Sequence, residues 1–104
     1  MLAVDKQNFE DEVLKAQGLV IVDFWGTTCE PCKALLPFVE TLAEKYADKA
    51  KFCKLNVNEN RRLAIGQKVL GLPTIGFYRD GVKIREVTGD VTPEKIEEEL
   101  KRLI

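Results

Sequence analysis

The sequence predicts an α/β fold, a central mixed β-sheet flanked by helices on both faces, and three features of its pattern point there. Segments with helical apolar spacing alternate with short β-branched runs along the chain. Val20–Trp25 is a continuous apolar run of the kind covered on both faces, broken only by Asp23. Asp80-Gly81, between two further strand-like runs, is a strong hairpin signal. The order helix, strand, helix, strand, helix, hairpin, helix implies a sheet of mixed direction. With 104 residues, 45% of them apolar, one domain over 1–104 is expected, because two cores would each bury too little surface.

In the first helix, Asn8 is a candidate N-cap, Glu10, Asp11 and Glu12 suit the positive helix end, and Phe9, Val13 and Leu14 form its apolar stripe. Gly18 should end it. The strand Val20–Trp25 runs into Gly26-Thr27-Thr28, after which Leu35, Leu36, Val39, Leu42, Ala43 and Tyr46 predict a helix from about Cys29 to Tyr46. Pro31 costs no hydrogen bond in the first turn, whereas Pro37 lies inside the pattern and should bend the helix. Lys51 to Val57 reads as a strand, Asn58-Glu59-Asn60 as a polar loop, and Arg61 to Gln67 as a short helix. Gly71-Leu72-Pro73-Thr74 breaks the chain before the hairpin of Ile75–Arg79 with Val82–Val87. Thr92-Pro93 supplies an N-cap and a first-turn proline for the last helix, Val91 and Ile96 a hydrophobic staple, and Ile96, Leu100 and Leu103 its core stripe.

The net charge of −1 provides no basic field for nucleic acid or an anionic membrane, so neither is expected as a partner. The first residues lack a charged segment followed by an apolar one, and no apolar run reaches the roughly 18 to 20 residues of a bilayer span, so a cytoplasmic location is expected. Histidine is absent, which removes Cys-His zinc fingers, Ser-His-Asp triads and histidine-ligated haem. Three cysteines do not make the even framework of a small secreted scaffold.

Cys29-Glu30-Pro31-Cys32, at the strand-to-helix junction, carries the chemistry. A thiolate at a helix N-terminus is stabilised by unpaired backbone N–H groups and becomes the attacking species. Cys29 stands at that end; Cys32, one turn deeper, is placed to attack a mixed disulfide formed through Cys29. A bridge closing so short a loop restrains little chain entropy, which favours a functional bond over a structural one. The competing readings are two core thiols, or half of a tetrathiolate zinc site for which only Cys53 remains. Asp23, a carboxylate in an apolar strand, should have a raised pKa and could act as a general base near neutral pH; the alternative is a solvated strand-end aspartate.

Asp23-Phe24-Trp25, Cys29-x-Pro31-Cys32-Lys33, Pro37, Lys54, Leu72-Pro73-Thr74, Asp80-Gly81 and Gly89 together resemble the thioredoxin family over essentially the full length. The resemblance implies the thioredoxin fold and reduction of protein disulfides, with Cys29 as nucleophile, Cys32 as resolving thiol, Asp23 as its proton partner and Lys54 beside that aspartate. It further implies a cis Pro73 facing the disulfide, with the adjoining backbone pairing with extended substrate. Trp25, Thr28, Glu30, Pro31, Leu72, Pro73, Thr74, Gly89 and Asp90 would line the substrate groove. The implied redox group is the Cys29–Cys32 disulfide, without further cofactor or metal, and the implied partners of a monomeric protein are thioredoxin reductase and disulfide-containing proteins.

Two positions depart from the family pattern. Thr28 replaces the usual tryptophan and removes part of the apolar rim, and Glu30 replaces the glycine between the cysteines. A carboxylate beside Cys29 disfavours its thiolate and makes the protein a stronger reductant. Glu30 and Asp90 together suggest an acidic rim selecting basic or polar partners. Other readings are a donor dedicated to one enzyme complex and a non-catalytic binding subunit; Glu30 argues against an oxidase or isomerase. Cys53, in an apolar strand, is expected to be a buried free thiol.

Overall fold

The computed structural model describes all 104 residues. Five strands, β1 (Leu2–Val4), β2 (Leu19–Trp25), β3 (Lys51–Asn56), β4 (Thr74–Arg79) and β5 (Val82–Thr88), form one sheet in the order β1-β3-β2-β4-β5. β1 and β2 run parallel to β3, while β4 is antiparallel to both β2 and β5. The helices are α1 (Glu30–Lys45), α2 (Arg61–Gly66) and α3 (Pro93–Leu103). The mixed sheet expected from the element order is present.

Alternation along the strands divides the core in two. Ile21, Phe52, Ile75 and Phe77 face Leu35, Val39 and Leu42 of α1 and Ile96 and Leu100 of α3. Val20, Val22, Phe24, Leu55 and Tyr78 point the other way, towards Phe9, Val13 and Ala64. β2 therefore has six successive fully covered residues, Leu19 to Phe24, which is why its sequence shows a continuous apolar run.

Several boundaries differ from expectation. Residues 2–4 form an edge strand that the sequence did not signal, with Leu2, Ala3 and Val4 paired to Cys53, Lys54 and Leu55. The first helix is only a five-residue π-helical segment, Glu10–Leu14, and Asn8 does not cap it. The Asp5 carboxylate accepts from the Gln7 and Asn8 N–H groups, and the Asn8 side chain accepts from the Asp5 N–H, so a local turn takes the Asn8 oxygen that a cap would need. Phe9 and Val13 still bury fully. β3 ends at Asn56, one residue short of the expected Val57, and residues 57–59 form a 3₁₀ turn that takes in Val57 and part of the expected loop.

Other expectations hold. Pro37 lies inside α1 as expected, Thr92 caps α3 by accepting from the Lys95 N–H at 3.2 Å, and Val91 packs against the cluster that contains Ile96. Asp80 and Gly81 both have positive φ, 50° and 85°, as a two-residue hairpin turn following the sheet's twist requires.

Candidate functional site

The parallel strand β2 delivers its chain to the N-terminus of α1, and the short connection Gly26-Thr27-Thr28 sets where the cysteines fall. Cys29 is the N-cap of α1 with extended backbone, and its Sγ accepts from the Cys32 N–H at 3.2 Å. The two cysteines are joined in a disulfide. They are not equivalent: Cys29 is partly exposed, whereas Cys32 is buried at 1%. Any disulfide partner must therefore meet Cys29 first. Pro31 occupies the first turn, where its missing N–H is not needed, and Glu30 and Thr28 are exposed beside the sulfurs.

Asp23 lies on the sheet face that α1 covers, two residues along β2 from Ile21. It is 1% exposed, and neither carboxylate oxygen has a hydrogen-bond partner. Burial pushes its pKa up to about 7, with the Lys54 charge opposing part of that rise. Lys54 is the β3 residue in register with Asp23, yet the two form no ion pair. A carboxyl group so placed exchanges its proton near neutral pH.

The remaining groove residues come from three segments. Gly26 lies between Leu72 and the α1 start: a Cβ there would sit 3.0 Å from Leu72 Cδ1 and 3.8 Å from Cys29 Cβ. Leu72 and Cys29 thus flank the same glycine. The Leu72–Pro73 peptide bond is cis and Pro73 is buried. Thr74 Oγ1 donates to the Gly71 carbonyl at 2.6 Å and meets Thr88 Oγ1 at 2.9 Å, which brings the start of β4 against the end of β5 and hence Gly89 and Asp90 alongside. Trp25, half-buried, ends β2 and shares a cleft wall with Lys54.

Asn58 was not singled out in the sequence. Its Oδ1 accepts from Thr27 N at 2.8 Å and from Thr27 Oγ1 at 3.2 Å, and would stand 3.0 Å from a Gly26 Cβ. It anchors the connection that carries Cys29. An asparagine in a polar loop gives no local sign of a contact 31 residues away.

The acidic rim is weaker than expected. Glu30 lies 3.6 Å from Lys33 Nζ, and Asp90 lies 3.2 Å from Lys95 Nζ, which also donates to the Asp90 carbonyl. Each carboxylate has its own cation, so the two do not combine into one acidic field. Cys53 is fully buried and unbridged, and burial pushes its thiol pKa up, so it is a core side chain. No group of three or more His, Cys, Asp or Glu side chains is assembled to hold a metal ion, and no helix is long and apolar enough to cross a membrane.

Comparison with known proteins agrees with this geometry. The family model described as Thioredoxin matches residues 1–102. A thioredoxin from Acetoanaerobium sticklandii is 49% identical over 105 residues, covering 100% of both chains. One from Peptoclostridium acidaminophilum is 52% identical over 98 residues, 93% of this chain and 89% of that protein, and one from Pseudomonas aeruginosa is 42% identical over 78 residues, 75% and 72% respectively.

Proposed function

The chain belongs to the thioredoxin family and is a dithiol–disulfide oxidoreductase acting on disulfide substrates, and we propose that it reduces proteins with Cys29 as the attacking thiol and Cys32 as the resolving one. The Cys29 thiolate attacks one sulfur of a substrate disulfide; a Cys29–substrate disulfide forms and one substrate thiolate leaves. Asp23 then takes the Cys32 proton. The Cys32 thiolate attacks Cys29 Sγ, the second substrate thiolate leaves, and Cys29–Cys32 becomes the disulfide. Two electrons pass to the substrate, and both substrate thiolates are protonated from solvent or the site.

The observation that carries this order is the asymmetry of the pair: a partly exposed Cys29 at the helix N-cap, with Cys32 buried one turn deeper, at i,i+3 spacing from Leu35 and so on the stripe of α1 that packs on the sheet. Backbone N–H groups at that helix end favour negative charge on the outer sulfur. Asp23, titrating near 7, suits proton exchange with a thiol at neutral pH. Lys54 modulates that carboxyl group by charge across the two strands. Trp25, Thr28, Glu30, Pro31, Leu72, Pro73, Thr74, Gly89 and Asp90 line the groove for an extended substrate segment. Recharging by a thioredoxin reductase, a cytoplasmic location, a single domain over 1–104 and a monomeric working state complete the reading.

Substituting each cysteine separately tests the assignment. Cys32→Ser should accumulate a covalent Cys29–substrate disulfide, visible by intact mass, while Cys29→Ser should neither form it nor reduce substrate. Trapping through Cys32 in the Cys29→Ser variant, at a rate comparable with the first adduct, would reverse the roles.

A further inference from the structure

Two clefts, of about 420 and about 280 Å³, adjoin on one flank of the site and share Lys6, Glu59 and Asn60 in their walls. Trp25 and Lys54 line the larger, and Asn58, Arg61 and Arg62 the smaller. Through Asn58 this surface is hydrogen-bonded to Thr27, two residues before the exposed sulfur. Four cations, Lys6, Lys54, Arg61 and Arg62, stand there against two carboxylates, Asp5 and Glu59, on a chain whose net charge is −1.

Those carboxylates are occupied locally, Asp5 by the Gln7 and Asn8 N–H groups and Glu59 by the Asn56 side chain. None of the four cations takes part in an ion pair, whereas Lys33 pairs with Glu30 and Lys95 with Asp90. Arg61 and Arg62 also break a local rule. Cations are disfavoured in the first turn of a helix, and the other helical segments of this chain carry Glu10-Asp11-Glu12, Glu30, Glu59 and Glu94 in their first turns. At α2 alone two arginines begin the helix, exposed, with no acidic residue in the first turn and no ion pair to Glu59 beside them. Unrepaid local conflicts of this kind mark surfaces kept for function.

We propose that this flank, with Lys6, Arg61 and Arg62 at its rim, docks an acidic segment of the disulfide-bearing partner protein and so selects partners of negative charge near their disulfides. The inference rests on the reductase reading above and names the partner chemistry for the same site. The positive flank steers encounter and sets orientation, an effect that salt screens.

The test uses the reduced full chain and two synthetic peptides of equal length, each with one disulfide, flanked by three glutamates in one and three lysines in the other. Peptide reduction is followed by chromatography at ionic strengths of about 10 mM and about 1 M, where the screening length falls from about 30 to about 3 Å. The acidic peptide should be reduced about three- to tenfold faster than the basic one at low salt, with the ratio approaching one at high salt. In Arg61→Gln/Arg62→Gln the low-salt ratio should fall by at least half, and Lys6→Gln should lower it independently. A small uncharged disulfide, reduced at an unchanged rate by both variants, shows that the cysteines are intact. A ratio at or below one, or one unaffected by both variants, would overturn the docking inference while leaving the reductase reading intact. Failure to reduce either peptide or the small disulfide would overturn both.

Discussion

Replacing Asp23 by alanine should make the protein more stable at pH 8 and abolish a specific part of its pH dependence. The carboxyl group is 1% exposed, has no hydrogen-bond partner, and has its pKa raised from 3.8 to about 7, by burial first and with Lys54 opposing. Between those values the folded protein holds a proton that the unfolded chain has released, so folding stability falls as pH rises through that window. A displacement of about three units corresponds to about 4 kcal/mol, fully expressed above about pH 8, small at pH 4 and absent below about pH 3. Removing the side chain leaves a small cavity that offsets about 1 kcal/mol or more of the gain. Urea unfolding of the oxidised wild-type and Asp23→Ala proteins, followed by circular dichroism from pH 4 to 8.5, isolates the effect because all other groups titrate in both. The difference in unfolding free energy should swing towards the variant by a few kcal/mol across the range. Parallel profiles, or a wild-type protein that gains on the variant as pH rises, would show that burial does not raise the Asp23 pKa. The same variant should slow release of substrate from the mixed disulfide without preventing its formation, because only the second step uses Asp23.

Two further substitutions test the supporting geometry. Glu30→Gly leaves Lys33 unopposed beside Cys29, which favours the thiolate and hence the dithiol form; the reduction potential should rise, by no more than about 20 mV for exposed charges. A lower potential would contradict the charge argument, and Glu30→Gln/Lys33→Gln should return close to the parent. Asn58→Ala removes both hydrogen bonds to Thr27, so thermal unfolding should shift down by about 4 °C, as expected for a loss of about 1 kcal/mol, and disulfide exchange should slow. Unaltered stability and rate would show that the loop before Cys29 holds its place unaided.

The local chemistry of the chain made much of this architecture legible. The covered strand β2, the long amphipathic α1, the Asp80-Gly81 turn and the Thr92 cap are each written in adjacent residues, and each is found. The β1 edge strand was not, because only one of its three residues is buried and its strand character comes from pairing with β3 some fifty positions away. The same limit hid Asn58, whose contact with Thr27 depends on how two loops meet. Burial of Asp23 was readable from its apolar neighbours, whereas its lack of an ion pair with Lys54 depends on side-chain placement across the strands. The Glu30–Lys33 pair lies at helical i,i+3 spacing and is readable in the sequence.

Whether this dithiol gives electrons to protein disulfides or takes them is set by its reduction potential. The protein would be equilibrated in defined thiol–disulfide buffers, with Trp25 fluorescence reporting the redox state and thiol counting fixing the end points. A reductant of protein disulfides should show a two-electron couple at or below about −270 mV, a figure customary for thioredoxins. A value above about −200 mV would make the pair an oxidant or isomerase and rule out the reductase role.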